Sequence, residues 1–246
     1  MNKTIVSIAA ALGLGASSLS AQQLPFDYSL TSDMTFASEY VFRGLKQTDS
    51  AFQPSIEVSV LDAYLGLWSN FPYRHSHENE VNLYGGYEFA IDQMPMLSFD
   101  LGGTLYYFPS SDVRRSHEFY AGANFRDIGV IEGLSAGVYF FHDMDIKSNI
   151  LEGYVGYSVP LDQFGGMAFP ASVDLGAHLG AAGGNKGFDS YNYYGFSAEV
   201  PFRLTELATL TAGVHYADAW NQGDDRGFRG NTDNSLFGTV SLTMGF

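Results

Sequence analysis

The sequence predicts an all-β chain that closes into a single antiparallel transmembrane β-barrel of about 12 strands, joined as a meander. Three observations predict it. The last seven residues alternate Val240, Leu242, Met244 and Phe246 with Ser241, Thr243 and Gly245, a period-two strand with one apolar face. Comparable alternating segments recur along the whole chain. The connections between them alternate in length, as expected where short turns close one end of a barrel and longer loops the other.

Taken in order, the chain opens with Lys3, an apolar run from Ile5 to Ala16, and small or polar residues from Ser17 to Ala21. This reads as a secretory signal peptide over residues 1–21, because the apolar run is too short to span a bilayer. Residues 22–246 then form the barrel. Its segments are expected at 30–42, 53–61, 63–71, 79–91, 97–108, 117–127, 134–143, 150–161, 171–182, 191–204, 208–219 and 235–246. Most reach the ~9–11 residues that a tilted spanning strand needs. Leu61-Asp62, Asp92–Met96, Ile128–Gly133, Asp162–Pro170 and Thr205–Leu207 are the tighter connections. Phe71–Asn79, Gly183–Ser190 and Trp220–Asn234 are the longer, more polar ones.

The charge balance restricts partners. With 12 Lys and Arg against 27 Asp and Glu, the chain carries a net charge of −15, and loss of Lys3 would make it −16. Nucleic acid is excluded as a natural partner, since phosphate binding requires the opposite sign. The absence of cysteine decides little, because exported proteins exist with and without disulfides.

Sorting each segment by parity gives one apolar face, such as Val173, Leu175, Ala177 and Leu179, or Leu101, Leu105 and Tyr107. The other face carries Glu39, Glu57, Glu88, Asp100, Glu118, Glu152, Asp174 and Glu199, with Arg43, Arg126, His178 and His215. In a barrel these twelve residues would line the lumen, and the eight carboxylates would favour cations over anions. The alternative is a packed lumen in which Arg43 and Arg126 pair with carboxylates and close the interior. The same inward parity holds Gly66, Gly86, Gly102, Gly122, Gly137, Gly156, Gly176, Gly195 and Gly213. Tyr64, Tyr84, Tyr120, Tyr154 and Tyr193 each stand two residues before one of these glycines. Glycine inside a strand weakens it unless something approaches closely; this belt is expected to let tyrosine rings lie against neighbouring strands. A roomy aromatic constriction for a sugar or nucleoside is the functional alternative. Aromatics also gather at the segment ends: Tyr40, Phe42, Phe71, Tyr107, Phe140 and Trp220 at one, Phe89, Phe125, Phe202 and Phe246 at the other. Two such girdles are expected at two membrane interfaces.

The string Ser38-Glu-Tyr-Val-Phe-Arg-Gly44, followed by Leu45-Lys-Gln-Thr-Asp49, is the most specific in the chain. It resembles the opening strand and first loop of the TorF-type porin family of bacterial outer-membrane proteins. Glu39 stands where that family's typical string has Asp, and Lys46 just before Gln47. Leu83-Tyr-Gly-Gly-Tyr87 and Tyr106-Tyr-Phe-Pro109 are similar to later strings of the family. The resemblance implies a small porin in the outer membrane of a Gram-negative-type bacterium, with outer-membrane lipid as its surroundings. The terminal Phe246 resembles the signal by which the barrel-assembly machinery reads such proteins.

Three further patterns have the residue types of a site. His75, His77 and Glu78 have metal-ligand chemistry; Asp224, Asp225 and Asp233 have calcium-ligand chemistry; both sets sit in polar loops that need such residues for solvation. His142-Asp143 lacks a nucleophile placed by spacing. The sequence therefore predicts no enzyme, no cofactor and no metal. Its reading is passive diffusion of small solutes through a cation-preferring lumen. The alternatives are a non-conducting structural or surface-binding barrel and, further off, a barrel hydrolase.

Overall fold

The computed structural model describes residues 28–74, 78–109, 115–128, 131–161, 172–184, 190–220 and 234–246. The expected signal peptide and the Asp224–Asp233 loop lie outside the described residues, as do His75 and His77. Among the described residues every regular element is a strand: β1 (Tyr28–Ala37), β2 (Tyr40–Phe42), β3 (Leu45–Thr48), β4 (Ala51–Val60), β5 (Ala63–Pro72), β6 (Glu80–Ile91), β7 (Met94–Tyr107), β8 (Arg115–Arg126), β9 (Leu134–Asp143), β10 (Ser148–Pro160), β11 (Ser172–Gly184), β12 (Tyr191–Arg203), β13 (Ala208–Trp220) and β14 (Ser235–Gly245).

β1 and β4–β14 form one closed antiparallel barrel in which each strand pairs with its chain neighbours. The ring closes where β1 meets β14, in register from Thr31 opposite Gly245 to Ala37 opposite Thr239. Beyond that register, Leu30 and Phe246 exchange backbone hydrogen bonds of 3.0 and 2.8 Å, which ties the C-terminal residue to the start of the first strand. Closure removes the unpaired edges that an open sheet would leave. The 12-strand meander is the architecture the alternation predicts. Both described termini share one end, here the turn end, with Leu61-Asp62 and Asp92-Gln93. The opposite, loop end carries the connections 73–79, 108–114, 144–147, 185–190 and 221–234.

One expectation fails. Alternation predicts a single strand over 30–42, but the wall strand stops at Ala37. Ser38 caps the departure: its backbone N–H donates to Gly238 O, and the Gly238 N–H donates to its hydroxyl, both at 2.9 Å. Residues Tyr40–Thr48 then form a separate two-stranded hairpin, β2–β3, before the wall resumes at Ala51. Tyr40 and Phe42 consequently belong to this hairpin and not to an interfacial girdle.

The outward face is apolar and exposed. Leu101, Val138, Leu151, Leu175, Leu179, Val214, Leu236 and Val240 all belong to it. A soluble monomer rarely leaves so large a contiguous apolar surface uncovered.

Candidate functional site in the barrel lumen

The hairpin lies inside the barrel, toward its loop end. Its turn is Arg43-Gly44, with φ of 50° and 77°. Positive φ at both central residues is the two-residue turn whose twist suits a tight hairpin. Gly44 is required twice over. Its φ disfavours any side chain, and a Cβ there would lie 2.5 Å from Tyr193 Cβ and 2.7 Å from Asp218 O. The tip thus rests on β12 and β13. Leu45 is buried with Ile150, Ala182, Tyr191, Tyr193 and Ala219. On the other flank Tyr40 packs on Trp68 of β5, ring centroids 5.2 Å apart, and Phe42 meets Tyr106 of β7 at 6.0 Å.

Arg43 locks the tip to the far wall. Its two terminal nitrogens donate to the two Glu118 carboxylate oxygens at 2.7 and 2.8 Å. The guanidinium lies between the rings of Phe42 and Phe141, 4.6 and 4.5 Å from their centroids. Tyr106 Oη donates a further bond of 2.9 Å to Glu118. The two side chains are 12% and 2% exposed, so this is a bidentate pair removed from water. Glu39, expected to face the lumen from the same wall strand as Arg43, instead accepts from Lys46 Nζ of the hairpin at 2.7 Å, and Lys46 also reaches Asp49 at 3.1 Å. Glu39 and Arg43 are therefore not wall residues as period-two parity predicts, because the wall strand ends at Ala37 and the chain turns into the hairpin.

Below the hairpin, tyrosines pave the wall. Tyr84 lies over Gly66, Tyr64 over Gly86, Tyr120 over Gly102, Tyr139 over Gly122 and Tyr154 over Gly137. In each case tyrosine and glycine are directly opposite in the strand register. The Tyr-x-Gly pattern explains the reciprocal pair: set antiparallel, Tyr64-Leu-Gly66 and Tyr84-Gly-Gly86 place each ring on the other strand's glycine. Gly195 seats His178, whereas Gly156, Gly176 and Gly213 face Ser135, Ser197, and Thr239 with His215.

The phenols address the carboxylates. Tyr84 donates to Glu57 at 3.0 Å, Tyr64 and Tyr139 to Asp100 at 2.8 and 3.1 Å, and Tyr193 to Glu152 at 2.7 Å. Tyr64 and Tyr120 are also hydrogen-bonded through their hydroxyls. Nearer the turn end, Arg126 meets Glu88 at 3.1 Å, and Ser158 donates to Asp174 at 2.6 Å. His215 stands 3.9 Å from Glu199, bonds Thr239 at 2.8 Å and stacks on Phe237.

The structure adds three inward acids that sequence reasoning missed. Asp33 accepts from Thr35 and from Thr243, Glu80 from Asn82 at 2.8 Å, and Asp143 from Ser116. All three share their strand's inward parity, so the rule that found Glu57 and Glu88 would have found them too. His142 and Asp143 do not form a dyad. Adjacent residues on a strand point to opposite faces, and His142 bonds Asn149 at 2.8 Å while Asp143 is buried with Ser116. Among the described residues no group of three His, Asp or Glu is arranged to hold a metal ion.

Residues 21–243 match the family described as "Bacterial protein of unknown function (Gcw_chp)". No curated protein matches the sequence. Among solved structures, the KdgM porin is 11% identical, with 89% of this chain and 99% of that chain covered and a TM-score of 0.56. A KdgM porin in complex with disordered oligogalacturonate is 13% identical over the same shares, with a TM-score of 0.54. The NanC porin is 14% identical over 88% and 98%, with a TM-score of 0.50. These likenesses establish the shared barrel fold.

Proposed function

The chain belongs to the Gcw_chp family of bacterial proteins, and we propose that it is an outer-membrane porin-type channel with a cation-preferring lumen. The observation that carries the reading is the reversed polarity of the closed barrel, apolar outside and acidic within. Lipid tolerates a closed barrel because every backbone group is paired, and an apolar belt needs lipid around it. The Ser38–Asp49 string supports placing the chain beside the TorF-type porins.

The sign of selectivity follows from the inward acids. Arg43 neutralises Glu118 and Arg126 partly neutralises Glu88. Glu57, Asp100, Glu152 and Asp174 instead accept from hydroxyls, which leaves their charge uncompensated. The KdgM porin was solved with oligogalacturonate, a polyanion; an acidic lumen disfavours that charge. Conductance of the refolded protein in a planar bilayer under a salt gradient tests the reading. Stable steps with a cation-biased reversal potential are expected, with the bias reduced in Glu57→Gln/Glu152→Gln. An anion bias would overturn it.

A second reading, a non-conducting structural barrel, has one observation in its favour: the hairpin occupies the loop-end lumen with Arg43 and Glu118 paired. Absence of conductance from correctly folded protein would favour it.

A further inference from the structure

The wall residues that hold Arg43 form a site in their own right. Glu118 of β8 supplies a fork of two oxygens, Phe141 of β9 a flat aromatic face, and Tyr106 of β7 a phenol that orients the carboxylate. A planar guanidinium matches that set: two parallel N–H donors meet the two oxygens and the cation stacks on the ring. The occupant is the protein's own hairpin. It reaches the site on a short two-residue turn, and among the described residues its flanks are tied to the wall by backbone hydrogen bonds at Ser38 and Ser50, while β2 and β3 pair with each other and not with any barrel strand, so side-chain contacts hold the hairpin itself in place.

Resting on the channel reading above, we propose that β2–β3 is a self-docked plug. Its Arg43 occupies a guanidinium site on the barrel wall, and a solute bearing a guanidinium group competes for that site when the hairpin releases. The charge logic is consistent. Removing Arg43 leaves a desolvated carboxylate that must find another cation, and the acidic lumen concentrates cations beside it. The device links solute identity to opening, because the group that fits the vacated site is the group that held it closed.

The test uses wild type, Arg43→Ala and Arg43→Ala/Glu118→Gln, each refolded and checked for heat-modifiable mobility on gels, with methylguanidinium as the probe. Two measurements are made on the same samples: single-channel conductance, and equilibrium binding by titration calorimetry. Arg43→Ala is expected to conduct several-fold more than wild type. Methylguanidinium is expected to bind it and block it, with at least ten-fold weaker binding and block in the double variant. Conductance of Arg43→Ala equal to a conducting wild type would overturn the plug. Equal binding to both variants would overturn the wall site. If no protein conducts, the channel reading falls, and the calorimetric contrast still decides whether the wall site binds guanidinium.

Discussion

Two ion pairs sit at opposite ends of the same lumen, and they differ in what water is allowed to do. Arg43–Glu118, under the hairpin, is bidentate and nearly dry at 12% and 2% exposure. Arg126–Glu88, near the turn end, makes one bond of 3.1 Å between side chains 38% and 35% exposed. The first joins segments 75 residues apart and defines where a loop sits; the second decorates a wall that backbone pairing already holds. Burial is the difference. A dry pair that loses one member strands a charge, whereas a wet pair hands it to solvent.

The largest effect expected from breaking this contrast is in Glu118→Ala. Leaving Arg43 buried and unpaired costs about 3–5 kcal/mol if the hairpin stays docked, so the hairpin should undock and its amides between Tyr40 and Thr48 should lose protection in hydrogen exchange. Glu88→Ala should cost ~1 kcal/mol or less and leave hairpin exchange unchanged. Equal exchange in the two variants would show that packing of Leu45 and Tyr40, and not the ion pair, holds the hairpin.

Next comes Gly44→Ala. A side chain at φ 77° costs roughly 1–3 kcal/mol of backbone strain, and its Cβ has no room against Tyr193 and Asp218. Gly245→Ala is the internal control, since nothing lies within 4 Å of the Cβ it would add. Hairpin exchange should rise in the first variant alone.

Why the wall was legible in the sequence and the hairpin was not follows from these same residues. Period-two alternation reports pairing to immediate neighbours. The 134–143 segment matches β9 at both ends, and the short turn at Leu61-Asp62 falls where apolar alternation breaks. Tyr40, Val41 and Phe42 alternate no differently inside a plug than inside a wall, so alternation alone extends the first strand past its true end at Ala37. One local signal was present: an X-Gly pair, Arg43-Gly44, between apolar residues marks a hairpin turn. The Arg43–Glu118 partnership had no local signal at all, because parity fixes which face a residue takes and says nothing about what crosses the lumen.

The paved and unpaved sides of the wall give a smaller effect. Gly122→Val would drive a side chain into the Tyr139 ring, which is anchored to Asp100. In Gly156→Val the added Cβ meets Ser135 Oγ at 2.8 Å, a small group able to rotate away, and Leu175 O at an ordinary 3.7 Å. Refolding followed by gel mobility should be slowed strongly in the first and mildly in the second. Equal retardation would mean that the glycines serve strand curvature and not ring seating.

The smallest effect belongs to a third pair, on the outer side of the loop end. Asp145, in the turn between β9 and β10, stands 2.8 Å from the His117 ring and accepts from the His117 backbone N–H at the same distance. The hydrogen bond from the His117 side chain, with the backbone one, holds the Asp145 carboxyl below the usual aspartate range. A depressed folded-state value contributes stability that is complete above the unfolded value, about 3.9, and is lost as pH falls through the folded one. Both side chains are more than two-fifths exposed, so solvent screens the interaction. Asp145→Asn should therefore lower the thermal midpoint slightly at neutral pH, and the difference from wild type should shrink on acidification below about pH 4. A difference that persisted unchanged in acid would place the contribution in turn geometry, where the Asp145 N–H donates to Asp143 at 2.9 Å, and would remove His117 from the account.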